Sequence, residues 1–294
     1  MEEYLEDFLV YLNVVKNYSY NTISAYKHDL KDFLKYLQKK NLDLKNLNPQ
    51  VIDEYLKTLK TLGYTPFSIA RKLSSLKSFF RYLIREKKFS LEFIEILETP
   101  KLPFRLPKVL SLEEIEKLLS APDTTTPLGF RDKTMLELLY ATGLRVSELV
   151  NIKLENINLE LGLVRVLGKG MKERIVPVGD YALMYLKEYL EKIRPKLVKP
   201  VSKNYVFLNR QGKPLTRQRF WQIIKTYAKQ VGLEDKASPH IIRHSFATHL
   251  LQGGADLRSL QLMLGHSSLN TTQIYTHLDI QNLKNIYEKY HPRS

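Results

Sequence analysis

The sequence predicts a mainly α protein: a helical first domain, then a mixed α/β, mostly helical second domain with one small antiparallel sheet. Three observations predict it. The chain has 294 residues, about two domains of ordinary size. Apolar residues recur at three- and four-residue spacing through residues 1–100, as amphipathic helices require. Three prolines then fall within Thr99–Pro107 (TPKLPFRLP), and beyond them short β-branched segments interrupt the helical pattern. A composition of 44% hydrophobic and 11% aromatic residues excludes a largely disordered chain.

Tyr4, Leu5, Phe8, Leu9 and Leu12 place the first helix. Ser19-Tyr20-Asn21-Thr22 opens a second, with Ile23, Tyr26, Leu30, Phe33, Leu34 and Leu37 on its apolar face. A third starts at Asn48-Pro49, with proline at the helix start, and ends near Gly63. The fourth follows Thr65-Pro66 and runs through Leu83. On it Arg71, Lys72, Lys77 and Arg81 interleave with Leu73, Leu76, Phe79 and Phe80, which reads as one apolar face and one basic face suited to a phosphate backbone. These boundaries give a first domain at 1–98, a linker at 99–108 and a second domain at 109–294.

In the second domain Ser111 and Glu114 have the spacing of a capping box. A helix over Phe130 to Ala141 stops at Thr142-Gly143. Leu154 to Ile157, Leu163 to Leu167 and Arg174 to Val178 read as the strands of the small sheet, with Gly168-Lys169-Gly170 in the turn before the last. Helices resume from Tyr181, apart from an apolar segment at Tyr205 to Leu208.

Charge narrows the class of partner. Lysine and arginine number 46 against 31 acidic residues, a net of +15. Residues 1–100 carry only +3 of it, whereas 151–250 hold 19 basic and 8 acidic residues. Such an excess favours a polyanion, either nucleic acid or an anionic membrane surface. Cysteine is absent, so there is no disulfide framework, thiolate metal site or cysteine nucleophile. No apolar run is long enough to span a membrane, and the acidic N-terminus MEEYLEDFLVYL is unlike a secretory signal. A soluble, cytoplasmic protein is expected.

Four clusters in the basic half could carry chemistry. In Ala141-Thr142-Gly143-Leu144-Arg145-Val146-Ser147-Glu148-Leu149, Gly143 breaks a helix and Arg145 stands near the start of the next, where an anion meets a guanidinium and free N–H groups. The plain alternative is a surface arginine paired with Glu148. In Gly168-Lys169-Gly170 the glycines present Lys169 on a tip, although a tip lysine is usually only solvated. His240 and Arg243, three apart, share one helix face. His244 and His249 lie close by, but Arg243 among them and the missing ligand spacing argue against a metal. Leu264-Gly265-His266-Ser267-Ser268 leads into Thr271-Thr272-Gln273-Ile274-Tyr275-Thr276-His277. Tyr275 is one of 18 tyrosines, so residue type alone does not select it.

Together these residues form a cationic set with no carboxylate pair, metal motif or cofactor motif. Such a set suits a phosphodiester, whose non-bridging oxygens gather negative charge in the transition state. Tyrosine is a competent nucleophile, lysine an acid for a leaving alkoxide and histidine a base.

The order and wording of the motifs ATGLRVSEL, GKGMKER, HIIRHSFATHLL and LGHSSLNTTQIYTH, with SYNTISAYKHDLKDFLKYL in the first domain, resemble the tyrosine recombinase (phage integrase) family and, within it, the Xer-type site-specific recombinases. The resemblance implies an N-terminal SAM-like, core DNA-binding domain and a catalytic domain that close on duplex DNA as a clamp. It implies Tyr275 as nucleophile, forming a 3′-phosphotyrosyl link. Arg145 and Arg243 would hold the phosphate, Lys169 would protonate the 5′-oxygen, His240 would assist proton removal and His266 would hydrogen-bond the phosphate, with Glu148 in support. No cofactor and no metal are implied. Four protomers, identical or including a paralogue, would exchange strands through a Holliday junction to resolve chromosome or plasmid dimers, with a DNA translocase as a further candidate partner. The tail 278–294 resembles a segment that docks on a neighbouring protomer; folding back on its own domain is the alternative. Integration or excision of a mobile element, and a catalytically silent DNA-binding role, are the competing functions.

Overall fold

The computed structural model describes residues 1–89, 97, 108–168, 173–265 and 277–294. The chain divides into two units, Met1–Leu106 and Pro107–Ser294. Apart from Lys108, the expected linker lies outside the described residues.

In the first unit, α1 (Glu2–Val14), α2 (Tyr20–Lys39), α3 (Pro49–Thr61) and α4 (Pro66–Arg85) follow the periodicity closely. Their starts are set by side chains that accept otherwise unpaired N–H groups: Ser19 from Thr22, Asn48 from Val51 and Thr65 from Ser68. Phe8, Phe33, Phe79 and Phe80 are fully buried where α1, α2 and α4 meet, with Phe33 and Phe80 packed edge to face. The basic face expected on α4 is different in the structure. Lys72 is only 1% exposed, with its Nζ 2.6 Å from Asp32 Oδ2 and 3.3 Å from Asp29 Oδ1. Arg71 donates to Asp29, and Lys77 donates to the Leu97 carbonyl. Because α2 presents buried Asp29 and half-buried Asp32 toward α4, Lys72 and Arg71 are used to neutralise these carboxylates.

The second unit is organised around α6 (Pro127–Thr142), which is buried on every side from Gly129 onward. Before it, α5 (Leu112–Ser120) begins with the expected Ser111–Glu114 capping box. The charges on α6 are neutralised locally: Arg131 pairs with Asp132, and Glu137 with Lys133 and Arg293. Gly143 ends the helix at φ +57°, and a Cβ there would lie 2.4 Å from the Phe246 ring. The short α7 (Val146–Val150) follows.

Next comes an antiparallel sheet in the order β1 (Ile157–Asn158), β2 (Leu163–Leu167), β3 (Glu173–Pro177), with Val164 opposite Val176 and Leu167 opposite Glu173. Its first strand is shorter than expected. Leu154–Asn156 is a 3-10 turn, closed where Asn156 Oδ1 accepts the Lys153 N–H, so only two residues remain to pair. Helix α8 (Asp180–Glu188) passes through a widened turn, Tyr189–Ile193, into α9 (Arg194–Leu197); the turn stands just before Pro195, which cannot enter a regular helix interior. Val206, Phe207 and Leu208 fill the core ahead of α10 (Arg217–Gln230).

The site is framed by α11 (Pro239–Gly253), capped by Ser238, and α12 (Leu257–Leu264), capped by Asp256 and ended by Gly265 at φ +66°. Finally α13 (His277–Tyr290) seats Leu283 and Tyr287 in the core of its own unit, against β3 and α11. In this single chain the tail therefore takes the folded-back arrangement. Among the described residues, no helix is long and apolar enough to cross a membrane.

Candidate active site

Arg145 occupies the N-cap position of α7 because Gly143 stops α6 two residues earlier. Its partner Glu148 is buried, not a surface carboxylate. Glu148 Oε2 accepts the Arg145 backbone N–H at 2.7 Å, and Oε1 accepts Arg145 Nη1 at 2.9 Å. The Arg145 side chain stays 37% exposed, so its guanidinium is open to a ligand.

Arg243 lies on the second turn of α11. Its Nη1 donates to the Gly143 carbonyl and its Nη2 to the Leu264 carbonyl at 2.7 Å. Burial pushes its pKa down to about 10, and the positive charges of Arg145 and Arg174 push the same way, against Glu148. Two of the arginines singled out in the sequence are thus brought together, and their crowding favours any anion that arrives.

His240 stands on the first turn of α11, exposed, one turn before Arg243. The neighbouring histidines separate by environment. His244 is exposed, while His249 is buried with Nδ1 2.8 Å from the Tyr140 hydroxyl, and burial holds its pKa below the usual value. His249 therefore belongs to the core. Lys169, His266 and Tyr275 lie outside the described residues. The described chain reaches Gly168 just ahead of Lys169 and Gly265 just ahead of His266.

Sequence reasoning missed Arg174. It is 4% exposed on β3 and gives Nη1 and Nη2 to the two oxygens of Glu148, both at 2.8 Å, and Nε to the Met263 carbonyl at 2.7 Å. Burial works to raise the Glu148 pKa, but Arg174 and then Arg145 outweigh it and hold the carboxyl below its ordinary value. The signal was available: Arg174 is in phase with Val176 on the inward face of the strand, where a charge requires a buried partner. Three consecutive carbonyls at the end of α12 thus accept three guanidinium groups, Met263 from Arg174, Leu264 from Arg243, and Gly265 from Arg145 at 3.4 Å.

The description "Phage integrase, N-terminal SAM-like domain" matches residues 5–87, and "Phage integrase family" matches 108–282. The chain is similar to the tyrosine recombinase XerD of Listeria monocytogenes, 49% identical over 297 aligned residues covering all of both chains. It is also similar to that of Staphylococcus haemolyticus, 44% identical over 295 residues with the same full coverage. Among solved structures, the XerH site-specific recombinase bound to its difH substrate before cleavage matches with a TM-score of 0.72 and 27% identity, over 99% of this chain and 82% of that one. With its SAM-like and catalytic halves both matched and its arginines gathered at one site, the chain belongs to the phage integrase family, the tyrosine site-specific recombinases.

Proposed function

We propose that the chain cuts and rejoins duplex DNA at a specific site. Tyr275 attacks the scissile phosphorus, its Oη–P bond forming as the bond to the 5′-oxygen breaks. His240 takes the phenolic proton and Lys169 gives one to the leaving 5′-oxygen. Arg145, Arg243 and His266 hold the non-bridging oxygens, where donors fixed in advance lower the barrier. The 3′-phosphotyrosyl link stores the energy of the broken bond, so a 5′-hydroxyl from a second duplex reverses the step without metal, cofactor or nucleotide hydrolysis. Two rounds of exchange make and resolve a Holliday junction. Four protomers act together, identical or including a paralogue, in the cytoplasm on chromosome or plasmid dimers, with a DNA translocase as a candidate accessory.

The observation that carries this reading is the pairing of Arg145 with Arg243 around the end of α12, where burial and mutual repulsion already depress the Arg243 pKa. Full-length similarity to XerD proteins supports dimer resolution over mobile-element movement. The experiment is a nicked suicide duplex carrying the site selected by the protein from random DNA, incubated with chelator and without ATP. A covalent protein–DNA adduct is expected, and Tyr275→Phe should abolish it while still binding the duplex. An adduct that persists in Tyr275→Phe would overturn the assignment of the nucleophile. No adduct from the wild type would favour a binding-only protein.

A further inference from the structure

Arg174 has no part in the chemistry above, yet its placement bears on it. A carboxylate offers about four acceptor positions. On Glu148 all are taken, two by the Arg174 guanidinium and two by the backbone N–H and Nη1 of Arg145. Two parallel hydrogen bonds from a planar fork fix the carboxylate plane in a way that a single ammonium contact does not. Arg174 is itself fixed at both ends, by β3 and by its Nε bond to Met263, and its stem packs where a Cβ on Gly265 would lie 3.1 Å from it.

Charge gives the arrangement a second consequence. One buried carboxylate facing Arg145 alone would neutralise it and compete with a phosphate for it. Because Glu148 also pairs with Arg174, the Arg145–Glu148–Arg174 group keeps a net positive charge, and Arg145, the exposed member, is where an anion meets it.

We infer that Arg174 is a positioning residue of the cleavage reaction: by clamping and neutralising Glu148 it leaves Arg145 in one orientation and with its charge available for the scissile phosphate. The inference rests on the recombinase reading given above. It assigns to β3 a task in catalysis that does not involve touching DNA.

The test uses the full chain on its selected site. Arg174→Lys keeps the charge and loses the fork, and Arg174→Met loses both. Each should slow single-turnover formation of the adduct by about 10- to 100-fold, the scale of a misplaced catalytic contact, while DNA affinity stays within about threefold because many other phosphate contacts carry it. The decisive measurement is the cycle with Arg145→Ala. If Arg174 acts through Arg145, adding Arg174→Lys to Arg145→Ala costs less than about threefold more. Undiminished cleavage in Arg174→Lys would overturn the inference, and so would a cost that multiplies in full on the Arg145→Ala background, since a general loss of fold multiplies. If Arg174→Met does not fold, Arg174→Lys carries the test alone. Failure of the functional reading is distinguishable, because it shows as no adduct from the wild type.

Discussion

The imidazole of His291 lies flat on the ring of Tyr287, with 4.5 Å between centroids and 11° between planes. Both are buried, and Tyr140 and Phe246 close the other sides of the imidazole. Burial drives the His291 pKa down to about 3, and His249 and Arg293 push it the same way. In the unfolded chain the group titrates near 6.5. Between those values the unfolded chain binds the proton and the folded chain does not, so stability falls as pH drops from about 6.5 toward 3. Urea midpoints measured across that window should decline for the wild type, with a shallower slope in His291→Phe. An unchanged slope in the variant would show that His291 does not carry the effect.

Gly143→Ala should be destabilising by about 2–5 kcal/mol, the sum of a left-handed backbone and an overpacked core. The φ of +57° and the Phe246 ring 2.4 Å from the new Cβ both act against it. Since the Gly143 carbonyl also holds Arg243, cleavage should fall along with the melting temperature. A variant as stable as the wild type would contradict this packing.

Lys72→Ala takes from buried Asp29 one of its two counter-charges, leaving Arg71, and takes from Asp32 its 2.6 Å partner, and should cost up to about 3–5 kcal/mol. Lys40→Ala removes an exposed pair with Glu54 and should cost under about 1 kcal/mol. Equal losses in denaturant titrations of the two variants would refute the buried role given to Lys72.

Binding to the selected duplex should weaken steeply with salt, log affinity falling with log salt at about −0.9 per neutralised phosphate. Arg145→Ala should reduce the slope by about one such unit. A flat dependence for the wild type would be incompatible with a phosphate-gripping enzyme.

Much of this molecule is legible in its sequence, for reasons that particular residues make plain. Helix starts at Ser19, Asn48, Thr65 and Ser111 are local decisions, made by one side chain and one N–H three residues on, and they read correctly. The closeness of Arg145 and Arg243 was legible only through motif order, because nothing local brings residues 98 positions apart to one helix end. Lys72 and Arg174 were misjudged or overlooked for a common reason. A basic residue reads as solvated or phosphate-binding until its partner is known, and Asp29 and Glu148 are distant in sequence. The strand expected at Leu154 to Ile157 was placed too early because a short apolar segment does not distinguish a strand from a turn closed by one asparagine.

The seating of α13 has a consequence for which chain makes the cut. Tyr275 stands two residues before His277, the first described residue of that helix. Two residues of fully extended chain reach about 7 Å at most. The proposed nucleophile is therefore bonded within that reach of a helix that Leu283 and Tyr287 seat in the core of its own unit. A chain that keeps α13 in that seat is therefore expected to cut the phosphate that its own Arg145 and Arg243 would hold.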